Sequence, residues 1–249
     1  MPFEDTPEFL VILKLRSEHD SSPLALRRRR DSNPVHESDA PTQPITSPPP
    51  AVRVAVAVAV AGFALAALGC YLPWVEHPAA ALAPNAFDLA EWTSLHPAVR
   101  GGSPPLLLTL LLRAPFALAG VGIALAAPWG WLPGLVVALT LLPPMEFFRG
   151  AWGDPNFRQG FALTLATGAL VLLALPARRL LARVRWALPM LPALLGIAAI
   201  IGSAPPALAL VNEMYAAGYG HGVVWALAGF ALVAVGVPYS RFRLLRALA

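Results

Sequence analysis

Apolar and polar positions divide the chain into six long apolar runs after residue 50, separated by short polar or proline-rich breaks. A helix needs about 20 mostly apolar residues to cross a bilayer core about 30 Å thick. The runs that reach or approach this length are 51–75, 104–127, 131–147, 155–175, 186–202 and 222–237. The first opens with alternating valine and alanine after Arg53, a period of two that also suits a strand. Both alternating members are apolar, however, and a membrane barrel strand would alternate with polar lumen residues. The pattern therefore predicts an all-α, polytopic membrane protein with six transmembrane helices.

Local signals place the ends of these helices. Ser103 before Pro104, and Asp154 before Pro155, predict helix starts. An oxygen caps free N–H groups, and a proline follows where no N–H is needed. Pro128-Trp129-Gly130 predicts a tight turn, and Pro143-Pro144 marks the end of the third run. Pro205-Pro206 predicts a break, after which Ala207 to Tyr215 dips into the bilayer as a short helix or re-entrant segment. Gly218 to Gly222 reads as a flexible hinge before the last helix. In the first long loop, Asn85-Ala-Phe-Asp88 reads as a capping box. Leu89, Trp92 and Leu95 then share one face, with Asp88, Glu91 and Ser94 on another. This predicts a short amphipathic helix on the outer membrane surface, ending before Pro97.

Composition removes the soluble alternatives. Hydrophobic residues make up 57% and charged residues 13%, with mean hydropathy +0.63. Soluble domains carry about 25% charged residues. A soluble enzyme, a disordered regulator and a DNA-binding module are excluded on that ground. The pI of 9.8 would suggest nucleic acid in a soluble protein, but here the basic residues follow topology. With the N-terminus in the cytoplasm, Arg53, Arg178, Arg179, Arg183, Arg185, Arg241, Arg243 and Arg246 fall inside. Arg100, Arg149 and Arg158 fall outside, with all the carboxylates beyond residue 50: Glu76, Asp88, Glu91, Glu146, Asp154 and Glu213. This positive-inside bias predicts N-in and C-in, with residues 241–249 a basic cytoplasmic terminus. Arginine dominates over the single lysine, Lys14, and alanine, proline and glycine are abundant. That usage suggests a GC-rich prokaryotic genome, hence a prokaryotic cytoplasmic membrane. Residues 1–50 are polar and rich in serine and proline, and read as a disordered cytoplasmic tail. Within them, Arg27 to Arg30 read as a charge cluster that helps hold the N-terminus inside.

Candidate chemistry is sparse. Arg113 lies inside the second run, nine residues after Pro104, which places it about 13 Å deep. A charge near the midplane is a functional-site candidate. Glu213, with Asn212 beside it, is its expected partner, so Arg113, Glu213 and Asn212 form the candidate intramembrane polar site. His77, His96 and His221 share the outer side with Glu76, Glu91 and Glu213, residue types that can bind zinc. Their spacing matches no metal motif, and no metal, cofactor or catalytic set is expected. Cys70 excludes an intramolecular disulfide, and Ala67-Leu68-Gly69-Cys70 departs from a lipoprotein cleavage box. Ala61–Gly69 and Ala228–Gly236 agree at seven of nine positions, read as small residues that let helices approach closely. The expected function is a non-enzymatic membrane subunit or assembly protein, in contact with the lipid bilayer and with other membrane proteins. A transporter or channel component using Arg113 and Glu213 is the alternative, and an outer-face metal-dependent enzyme the third reading.

Overall fold

A computed structural model describes residues 50–77, 82–142 and 151–248. The tail reading for residues 1–49, and the prolines of the 143–150 segment, lie outside the described residues. The elements are α1 (Pro50–Tyr71), β1 (Val75–Glu76), α2 (Ala86–Ser94), α3 (Pro97–Arg100), α4 (Leu107–Ala126), α5 (Trp131–Thr140), α6 (Pro155–Leu180), α7 (Met190–Asn212), β2 (Gly218–Tyr219) and α8 (His221–Leu248). Among the described residues, α1, α4, α6, α7 and α8 are long and apolar enough to cross a membrane. The chain is thus a multi-pass helical membrane protein. α5, at ten residues, is shorter than a crossing.

Several helix ends differ from the sequence expectation. α4 begins at Leu107 rather than Pro104, because the backbone turns at Leu106, whose φ of 56° is left-handed. No side chain caps this start, so Ser103 does not serve as the cap. α7 continues through Pro205 and Pro206 to Asn212, so the expected break and re-entrant segment are replaced by one helix. The two prolines remove two backbone donors, a loss that a helix packed against neighbours can absorb. α8 continues through Pro238 to Leu248, so most of the basic terminus is helical. Asp154 does cap α6, accepting from the Asn156 N–H at 3.0 Å.

The expected hinge is instead a pinned connection. β2 pairs with β1 antiparallel, with Val75 opposite Tyr219 and Glu76 opposite Gly218. The Gly220 N–H donates to the Trp74 carbonyl at 2.9 Å, and the Gly222 N–H to the Pro73 carbonyl at 2.7 Å. A Cβ on Gly220 would overlap the Pro73 carbonyl, and one on Gly222 the Leu72 carbonyl. Here glycine serves close backbone approach rather than freedom of motion.

The core is built on small residues. α1 and α8 run antiparallel in their closest packing, where a Cβ on Gly69 would overlap the Ala226 backbone and one on Gly229 the Ala66 backbone. The two matching nine-residue segments therefore face each other. Gly62 meets Val233 as its counterpart Gly229 meets Ala66. Phe63 and its counterpart Phe230 are fully buried and touch edge to face, centroids 6.0 Å apart. The likeness extends one layer outward. Phe63 fills the space a Cβ would need on Gly122 of α4, and Phe230 does the same at Gly196 of α7. α1 and α8, with α4 and α7 beside them, thus pack with an approximate two-fold relation.

α4 and α6 run parallel. Gln159, near the start of α6, donates to the Leu106 carbonyl at 3.0 Å, and Arg178, near its end, to the Leu125 carbonyl at 2.8 Å. The end of α4 and the start of α6 therefore lie at opposite ends of the bundle.

Candidate functional site

α2 is set by local chemistry. The Asn85 side chain accepts from the Phe87 and Asp88 N–H groups at 2.8 and 3.0 Å, and Asp88 accepts from the Asn85 N–H at 3.3 Å. This capping box is the one the sequence predicts. Asn85→Ala is expected to cost about 1 kcal/mol. Hydrogen exchange should speed up at the Phe87 and Asp88 amides, with the α1–α8 seam unaffected.

The buried face of α2 departs from expectation. Ala86, Leu89, Ala90, Thr93 and Ser94 are buried, while Trp92 and Leu95 are exposed. α2 packs chiefly on α4, with further contacts to α1 and α7. The packed stripe is thus made of small residues plus Leu89, and Thr93 satisfies its hydroxyl locally by donating to the Leu89 carbonyl at 2.7 Å. Trp92 and Leu95 point away from the bundle.

This placement brings Glu91 to Arg113. One Glu91 oxygen pairs with the Arg113 guanidinium, and the other accepts from the Asn156 side-chain amide at 2.8 Å. Arg113 also donates to the Asn156 backbone carbonyl at 3.5 Å and lies over the Phe87 ring, 5.6 Å from its centroid. The arginine is 2% exposed, while Glu91 keeps 43% of its side chain accessible. Arg100 extends the polar group. It donates to the Ser94 carbonyl at 2.7 Å and stands 3.6 Å from Asp154. Three segments are joined in this way: the surface helix α2, the span α4 and the start of α6.

The expected Arg113–Glu213 pair does not form. Arg113 is only six residues into α4, about 9 Å from its start, because the helix begins at Leu107. At that depth the carboxylate within reach is on α2. Glu213 caps the end of α7 and faces His96 at 3.3 Å. Asn212 accepts from the Ala217 N–H at 2.9 Å, closing the turn after α7. The structure thus places Arg113 apart from Glu213 and Asn212. Glu91 and Asn156 are the residues that sequence reasoning missed. The amphipathic pattern already set Glu91 opposite Leu89, but nothing local tied it to a residue in a span.

The histidines and carboxylates also divide among separate partners. His221 meets Glu76 at 2.8 Å, His96 meets Glu213, His77 stacks edge-on to Tyr215 at 6.3 Å, and Glu91 is held by Arg113. Among the described residues, no group of three His, Cys, Asp or Glu side chains is arranged to hold a metal ion.

Around Arg113 some polar capacity is left over. Among the described residues, the Arg113 Nε, the Asn156 Oδ1, the Gln159 Oε1 and the Thr109 hydroxyl are buried without a hydrogen-bond partner. Such atoms are costly in an apolar setting. No protein-family model, curated protein or solved structure matches this chain.

Proposed function

We propose that the chain is a non-enzymatic membrane subunit that supports or assembles with other membrane proteins. The observation that carries this reading is the engagement of Arg113 by Glu91 and Asn156. Among the described residues, Arg113 is the buried charge within a long apolar helix, and it is committed to holding α2 on the bundle, where a substrate site would keep it free. What remains to offer a partner is lateral apolar surface. α6 is the least covered of the long helices, with Leu165, Leu170, Leu172 and Leu173 exposed. Native purification in mild detergent, with co-purifying chains quantified by mass spectrometry, is expected to yield a partner at fixed stoichiometry. A clean single species with no partner would contradict the reading.

The proposed topology is six crossings with both termini cytoplasmic. The parallel course of α4 and α6 supports it, since the end of α4 and the start of α6 lie at opposite ends of the bundle and α5 spans about 15 Å between them. The arginines at the α6–α7 connection and in α8 then lie inside, as the positive-inside rule prefers. Prokaryotic cytoplasmic membrane remains the proposed location.

A transporter role is the second reading, and the unpaired polar atoms beside Arg113 favour it. They leave room for exchangeable hydrogen bonds between α4 and α6. Arg113→Ala separates the two readings. Intact folding with loss of a transport activity in vesicles would favour transport. Loss of α2 docking, with no transport activity in the native chain, favours the structural role.

A further inference from the structure

The end of the bundle opposite α2 carries a cavity of about 420 Å³, between α1, the end of α4, the α6–α7 connection and α8. Val56 and Val237 contribute apolar wall, and Arg178, Arg183, Arg185 and Arg241 converge on it. Among the described residues every carboxylate, namely Glu76, Asp88, Glu91, Asp154 and Glu213, belongs to the α2 end. Four guanidinium groups therefore face a shared space with no counter-anion from the described chain. Two of them are held in place. Arg178 donates to the Leu125 carbonyl at 2.8 Å, and Arg241 lies over the Trp186 ring at 4.6 Å. The positive-inside bias accounts for arginines at this end, but not for their convergence on one apolar-walled cavity.

We propose that this cavity holds one anionic phospholipid, its phosphate among the four arginines and its first acyl carbons along α1 and α8. Guanidinium groups match phosphate oxygens in two-point hydrogen bonds. Basic pockets between membrane helices take phosphate head groups. A volume of this size suits a head group and glycerol, with the acyl chains continuing into the bilayer. The proposal rests on the membrane reading.

The test is native mass spectrometry of the full chain in mild detergent, offered phosphatidylglycerol and phosphatidylcholine together. One phosphatidylglycerol should be retained per chain, preferred about tenfold over phosphatidylcholine. R183Q/R185Q, which alters two exposed side chains, should lower that retention about tenfold, the loss of about one charge-assisted contact. R178Q/R241Q should do the same wherever circular dichroism shows its helices intact. Arg158→Gln, at the other end, should leave retention unchanged. Equal retention of both lipids, or no effect of R183Q/R185Q, overturns the proposal. Displacement by millimolar inorganic phosphate overturns the lipid assignment and leaves a free-anion site. Alkaline carbonate washing separates this failure from that of the membrane reading: a chain that stays in the pellet yet shows no lipid preference sinks only the lipid site.

Discussion

Glu91→Ala is expected to cost about 3 kcal/mol of folding stability, near the low end for breaking a buried ion pair because the glutamate is part-exposed. The loss comes less from the missing attraction than from what stays behind. Arg113 would remain 2% exposed with no carboxylate partner, and the Asn156 amide would lose its acceptor. Glu91→Gln keeps one acceptor and should cost less. The informative variant is the double replacement Glu91→Leu with Arg113→Met. Removing both charges abolishes the desolvation problem, so the double variant should recover most of what Glu91→Leu loses. Unfolding in mild detergent, followed by tryptophan fluorescence, measures all of these. Additive losses would show that the two side chains act separately.

The second large effect is expected in the seam between α1 and α8. Gly69→Ala and Gly229→Ala each place a methyl group against the backbone of the facing helix, at Ala226 and Ala66 respectively. Backbone cannot swing aside as a side chain can, so the helices must part. Each change is expected to cost about 3 kcal/mol, the upper range for overpacking. Gly168→Ala is the control. It lies on α6 with nothing within 4 Å of the added carbon, and should be neutral or slightly stabilising. Equal tolerance at all three positions would contradict the close seam.

The helices were legible in the sequence because their cause is local. Length and apolarity define the long spans, and the Asn85 and Asp154 caps depend on residues two or three positions away. The repeated Ala-Gly-Phe-Ala-Leu segments pointed to close packing, which the contacts at Gly62 and Gly229 realise. What was not legible depends on tertiary packing. Pro205-Pro206 signals a break by local rules, yet α7 stays helical to Asn212, packed on α4 and α8. Arg113 stands six residues into its helix, three fewer than a start at Pro104 implies, because Leu106 takes a left-handed turn that no signal announces. The arginine is thus nearer the helix start than expected, and its partner is Glu91 rather than Glu213. The α2 face was misread for a related reason. Its large apolar residues turn away from the bundle, and small residues make the close contact with α4.

The proposed topology puts α2 on one side of the membrane and the arginine-rich α6–α7 connection on the other. Cysteine labelling distinguishes the two sides. Cys70 is fully buried, and Cys70→Ala gives a cysteine-free chain in which Leu95→Cys and Arg183→Cys, both at exposed positions, are introduced one at a time. In intact cells a membrane-impermeant maleimide should modify the chain carrying Leu95→Cys at once, and the one carrying Arg183→Cys only after the membrane is opened. Modification of both from the same side would contradict this topology.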